Sequence, residues 1–250
     1  MTRIGWLLGG DGASAARMQL VCVPYLGGGP HAFRGWPEAL RGFADVLTVQ
    51  YPGSGARVAE APLASIRAIA GGVATAIAAD VAGPYVLLGY SMGALVAYET
   101  TRLLVENRLR PPASLIVAAH APPQAAWPHP PASSGSDSEV LAHLRRYEGM
   151  PEAVMADAEL AAILMPTIRA SLRAMETYVA PPTQPFAIPI LAICGDADPT
   201  VTPTDMDAWR EHTSESFRLA VVPGGHFFVH QSPTETVELV RSELQYVATG

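Results

Sequence analysis

Apolar residues keep two rhythms along this chain. Short runs at 18–24, 46–51, 85–89, 114–120, 188–194 and 217–222 are apolar at nearly every position, the pattern of strands covered on both faces. Between them, 32–42, 64–80, 93–106, 204–212 and 234–246 read as helices, with Pro233 placed to open the last. Strand and helix alternate, so an α/β fold is expected, with a mainly parallel sheet joined by helical crossovers.

One stretch breaks the alternation. Residues 121–138 are rich in Pro, Ala and Ser, and 139–179 then read as mostly helical. Pro151 and Pro166 are expected to punctuate that part into short helices, with apolar faces from Val140, Leu141, Leu144, Met155, Leu160, Ile163 and Leu164. An insertion of this kind between core strands, about 121–186, is a candidate helical lid; the plainer alternative is that it extends the core. The chain 1–250 reads as a single domain.

Composition narrows the classes. With 49% hydrophobic and 16% charged residues, the 250-residue chain is too apolar for disorder, and no run approaches the about 18 apolar residues of a membrane helix. The 16 basic residues are all Arg and face 23 acidic ones, giving −7, so neither nucleic acid nor membrane is an expected partner. Cys22 and Cys194 each lie inside a strand run and read as small core hydrophobes rather than as a disulfide or metal ligands. Arg3, the apolar run 4–10 and Ala13-Ser14-Ala15 imitate a secretory leader. That run is short, holds three glycines and is followed at once by Asp11, so a cytoplasmic protein is expected.

The chemistry concentrates at Gly89-Tyr90-Ser91-Met92-Gly93, where an apolar strand runs into G-x-S-x-G and then a helix. The two glycines permit the sharp turn and close helix–strand approach that would expose the Ser91 hydroxyl above the sheet. A serine hydroxyl needs a general base, itself oriented by an acid, and in this fold the chain order is Ser, acid, His. Asp196 and Asp198 follow the 188–194 strand; Asp198, farther from the strand end, is the better placed acid, and Asp196 suits a brace for the loop. His226, in Pro223-Gly224-Gly225-His226 after the last strand, is the candidate base. His230 is its rival, with a solvated or core role as the plainer reading. The oxyanion hole needs two backbone N–H groups: Met92 supplies one, and the loop Pro24-Tyr25-Leu26-Gly27-Gly28-Gly29 the other, assigned to Leu26 with Tyr25 and Gly27 as neighbours. With G-x-G-x-x-G and the P-loop lysine absent, neither a nucleotide nor any other cofactor is expected, and no metal.

Taken together the chain resembles the stand-alone type II thioesterases of polyketide and nonribosomal peptide synthases. Beyond the elbow, the resemblance rests on Trp6, Pro24 to Gly28, Phe33 with Trp36, Tyr51-Pro52-Gly53, Arg57, Tyr98-Glu99, Glu148-Gly149-Met150-Pro151-Glu152, Trp209-Arg210 and Gly224-Gly225-His226-Phe227. It implies an α/β-hydrolase fold with a small lid, Asp198 as the acid, and hydrolysis of unwanted acyl groups from the phosphopantetheine thiol of acyl or peptidyl carrier domains. The phosphopantetheine belongs to the substrate. The chain departs from the family at Tyr25-Leu26, Ser54 and Arg169-Ala170-Ser171. Arg145, Arg146, Arg169 and Arg173 are candidate contacts for an acidic carrier. The competing readings are a small-molecule serine esterase or acyltransferase of the same fold and, from another class, a binding module in which Ser91 is idle.

Overall fold

The computed structural model describes residues 5–10, 18–125, 130–146 and 157–249. Its strands are β1 (Leu7–Gly9), β2 (Gln19–Val23), β3 (Asp45–Val49), β4 (Tyr85–Tyr90), β5 (Ser114–Ala118), β6 (Ile190–Gly195) and β7 (Phe217–Val222), ordered β1-β3-β2-β4-β5-β6-β7 in one sheet. Every pairing is parallel except that of β1 with β3. The expected strands are all present within a few residues. The additional strand, β1, is formed from the run that imitates a leader; its half-buried residues bond only to β3.

The helices are α1 (Trp36–Ala39), α2 (Ile66–Asp80), α3 (Met92–Glu106), α4 (Asp137–Arg145), α5 (Ala158–Glu176), α6 (Pro203–Asp207), α7 (Phe228–Gln231) and α8 (Pro233–Thr249). Side chains alternate across each central strand into two cores. Val21, Val23, Leu87, Leu115 and Val117 meet α2, α3 and α5 on one face, while Leu20, Cys22, Val86, Leu88 and Ile116 meet α1 and α8 on the other. The two cysteines are buried on opposite faces and unpaired, and burial raises both thiols, Cys194 to about 11. Among the described residues, no helix is long and apolar enough to cross a membrane.

Three helical expectations are corrected. The expected helix at 32–42 is a 3-10 turn, Pro30–Phe33, followed by the one-turn α1, because Gly35 takes φ 85 and reverses the chain between them. The 204–212 helix is α6 followed by a 3-10 turn, Ala208–His212. Pro166 does not end a helix but sits inside α5; both it and Ala162, whose carbonyl loses its usual amide partner, face solvent, where water can replace the bond. Pro151, Met155 and the stretch 148–152 lie outside the described residues.

The segment between β5 and β6 is tied down at several points. Thr167 Oγ1 donates to the Gly53 carbonyl at 2.8 Å, and the Glu176 carboxylate accepts from Ala132 N–H at 2.6 Å and Ser133 N–H at 3.0 Å. Val140, Leu144, Met165, Ile168 and Leu172 enter the same core as Met92. Arg169 is an internal tie, donating to the Ser133 and Gly135 carbonyls at 2.8 and 2.7 Å and pairing with Asp137 at 2.5 Å. Arg169 is thus engaged within the segment, while Arg145, Arg146 and Arg173 are exposed.

Candidate active site

Strand β4 runs straight into α3, and Ser91 at the junction adopts φ 53, ψ −121, a conformation that L side chains rarely take. Its N–H is held by the Ala118 carbonyl at 2.8 Å. Close packing enforces the turn, because a Cβ on Gly93 would stand 2.2 Å from the Val23 carbonyl oxygen and 2.7 Å from that of Pro24. Helix α3 therefore begins almost against the end of β2, bringing Ser91 beside the loop at 24–29.

The loops after β6 and β7 meet Ser91. Ser91 Oγ lies 2.9 Å from His226 Nε2, and His226 Nδ1 lies 2.9 Å from Asp198 Oδ2. Burial raises the affinity of Asp198 for a proton, but hydrogen bonds from His226 and Thr200, with the charge of His226, outweigh it and hold the carboxyl below its ordinary range. An ionised Asp198 accepts from Nδ1–H, which leaves Nε2 as the acceptor for the Ser91 hydroxyl. Asp196 braces the two loops instead, its Oδ1 accepting the Gly224 N–H at 2.9 Å.

Met92 is the first residue of α3, so its N–H has no partner within the helix. Leu26 is half-buried against the same apolar cluster as Met92. Its loop is fixed by the Tyr51 hydroxyl donating to the Pro24 carbonyl at 2.7 Å and by a turn from Gly28 N–H to the Tyr25 carbonyl at 2.9 Å, with Gly27 at φ 69.

Several neighbours of the site escaped the sequence reading. Tyr90 donates its hydroxyl to the His226 carbonyl at 2.7 Å, clamping the His226 loop to the residue before Ser91. The Tyr25 hydroxyl lies 2.9 Å from Nε2 of His230, which is exposed, as the solvated reading had it, and carries this contact in addition. Thr200 bonds Asp198 Oδ1 twice, through N–H at 2.8 Å and Oγ1 at 2.7 Å, and its Oγ1 is also 2.9 Å from His226 Nδ1. The hydroxyl proton goes to the carboxylate, so the oxygen stands as a second acceptor for Nδ1–H. Loading Oδ1 in this way fixes the carboxylate rotation that aims Oδ2. Thr200→Val is expected to lower kcat about tenfold with little change in KM, the loss of one hydrogen bond to a charged group, and Thr200→Ser to restore it. Equal kcat for Val and wild type would contradict this role.

His120 lies in the loop just after β5. Burial, the largest influence, pushes its ring down from 6.5 to about 4, with the nearby His226 adding to it and the Ala121 carbonyl and Asp198 opposing. Between pH 6.5 and 4 the unfolded chain binds a proton here that the folded chain refuses, so stability falls as pH falls through that window. Urea midpoints measured at pH 7 and pH 5 should drop more for wild type than for His120→Asn; equal drops would contradict it.

A mostly parallel sheet whose nucleophile-elbow serine sits on a sharp turn between strand and helix, met by loops from two later strands, is the architecture of the α/β-hydrolases. A family model described as Thioesterase domain matches residues 18–244. The gramicidin S biosynthesis protein GrsT of Aneurinibacillus migulanus is 34% identical over 97% of this chain and 94% of its own length. Among solved structures, the type II thioesterase BorB from the borrelidin biosynthetic cluster superposes with TM-score 0.87 at 35% identity, covering 96% of this chain and 97% of that one. RedJ, a thioesterase of the prodiginine pathway in Streptomyces coelicolor, gives TM-score 0.85 at 34% identity over 93% and 92%. The chain belongs to the thioesterase family, within its type II editing thioesterases of polyketide and nonribosomal peptide pathways.

Proposed function

We propose that the chain hydrolyses acyl thioesters borne on the phosphopantetheine arm of acyl or peptidyl carrier domains, with Ser91 as nucleophile, His226 as general base and Asp198 as the acid that orients it. Ser91 Oγ attacks the thioester carbonyl while its proton passes to His226 Nε2. The C–S bond then breaks and the imidazolium returns the proton to the departing thiolate. Water, deprotonated by the same nitrogen, attacks the acyl-serine ester and frees the carboxylic acid. The Met92 and Leu26 N–H groups would take the charge of each tetrahedral oxyanion.

The observation that carries this reading is the pair of 2.9 Å contacts, Ser91 Oγ to His226 and His226 to Asp198, built from three separate loops onto a strained serine. An idle serine has no need of that strain or of an oriented imidazole. The segment carrying α4 and α5 would act as the lid and roof the acyl chain, since its Val140, Leu144 and Ile168 share one apolar cluster with Met92 and, at its margin, Leu26.

Comparing kcat/KM for an acyl-carrier protein and for a simple alkyl ester of the same acyl group tests the substrate. The carrier thioester should be preferred at least about tenfold, and preference for the free ester would move the assignment to a small-molecule esterase. A fluorophosphonate probe should label Ser91; an unlabelled protein would favour the binding module.

A further inference from the structure

Between α1 and α8, on the sheet face opposite α2 and α3, lies a cleft of about 390 Å3. Its walls include His31, Arg34 and Trp36 from the segment after β2, and His230, Glu238 and Arg241 from the segment after β7. Cations converge here on a chain whose net charge is −7. Arg34 is exposed and makes no hydrogen bond or ion pair with any described residue. Arg241 uses its two terminal nitrogens on Glu238 and on the Ala39 carbonyl, while its buried Nε has no partner among the described residues. Glu238 offsets one of the two guanidinium charges, which leaves the cleft positive even with both imidazoles neutral. Burial first, and then the charge of nearby His31, depress the proton affinity of His230. An anion set between these groups would relieve that repulsion.

The cleft adjoins the reacting groups through a short stack of rings. His230 takes the hydroxyl of Tyr25, the residue before Leu26, and stands four positions after His226. Phe227 bridges the two histidines, with ring centroids 5.0 Å from His226 and, stacked, 6.4 Å from His230; Tyr25 meets Phe227 edge-on at 4.9 Å. An anionic group held in the cleft therefore lies one aromatic layer from the imidazole that serves Ser91. A substrate spanning that layer must carry an anionic head at one end and its acyl carbonyl at the other. Phosphopantetheine thioesters have that form.

We propose that this cleft binds the phosphate of the phosphopantetheine arm, with His31, Arg34 and His230 as its donors and the charge of Arg241 behind them, and so anchors the arm while its thioester reaches Ser91. The proposal rests on the thioesterase reading above. It makes the phosphate, remote from the bond being broken, a contributor to kcat/KM.

The test compares acetyl-pantetheine with acetyl-4′-phosphopantetheine as free substrates for wild type and for the double variant His31→Gln, Arg34→Gln. Neither residue is placed in the hydrolytic machinery, so acetyl-pantetheine should be hydrolysed alike by both proteins. Wild type should favour the phosphorylated substrate about tenfold in kcat/KM, the variant by about onefold. Equal use of the two substrates by wild type would overturn the proposal, as would a preference that survives in the variant. Inorganic phosphate separates a general anion site from one built for the arm: it should compete only weakly, and inhibition at concentrations matching 4′-phosphopantetheine would overturn the assignment to the arm. If neither free thioester is hydrolysed, the cleft is judged by titration, and the hydrolase reading by the carrier-bound substrate. Saturable shifts of the His31 and His230 imidazole resonances with 4′-phosphopantetheine, absent from Arg34→Gln at His230, would sustain it, and no shifts would overturn it.

Discussion

Ser91→Ala is expected to lower the turnover of carrier thioesters by at least about a thousandfold while leaving the fold intact. In the proposed mechanism the hydroxyl supplies the bond-forming oxygen, and knockouts of a serine nucleophile elsewhere cost up to about 10^6 in kcat, with only oxyanion stabilisation and binding left behind. Unfolding cannot account for such a loss, because the side chain stabilises nothing that Ala would forfeit apart from its contact with His226. A companion variant sharpens the point. Ser91→Gly relieves the φ 53 strain and should raise stability by about 1 kcal/mol while abolishing turnover, the signature of a residue held in an unfavourable conformation for chemistry. Activity retained in either variant would remove Ser91 from the mechanism; a marked loss of stability in Ser91→Gly would contradict the strain.

Gly93→Ala is the second large effect, and it acts through packing. The new Cβ would stand 2.2 Å from the Val23 oxygen and 2.7 Å from the Pro24 oxygen, and both obstacles are backbone, so no side chain can swing away. Either α3 retreats from β2 or the loop carrying Leu26 moves. Overpacking against backbone at the middle of the sheet should cost about 3 kcal/mol or more, read as a lowered urea midpoint. Whatever protein remains folded should turn over slowly, since both proposed oxyanion donors border the displaced contact. A variant with the wild-type midpoint would show that the helix and strand are not held at this distance.

Strands β2 to β6 were legible in the sequence because a strand buried on both faces must be apolar at nearly every position; β7 was legible too, but it is an edge strand with Arg218 and Val221 exposed, so the expected burial on both faces does not hold there. Strand β1 was not, because three residues at a sheet edge, two of them half-buried and one exposed, have neither the length nor the burial to imprint a pattern. Local rules also failed where tertiary structure overrode them. Pro166 reads as a helix end, yet α5 continues through it with that position turned to solvent. Gly35 lies within a run read as helical, yet its positive φ divides the run.

The site divides in the same way. Ser91, Asp198 and His226 could be picked out because strand-end loops, glycines and chain order constrain them one at a time. Thr200, Tyr90 and the Tyr25–His230 pair were hidden, because their roles exist only after folding: the bond between Tyr25 and His230 spans 205 positions, and that between Tyr90 and the His226 carbonyl spans 136. Nothing in the run Asp198-Pro199-Thr200 announces that its last hydroxyl will close a ring between carboxylate and imidazole.

Intact-mass measurement of an acyl-carrier protein incubated with wild type and with Ser91→Ala tests the central claim most directly. The account predicts that wild type converts the acylated carrier to its free-thiol mass while Ser91→Ala leaves it acylated. Carriers that remain acylated with active wild type, or that lose the acyl group equally with Ser91→Ala, would contradict it.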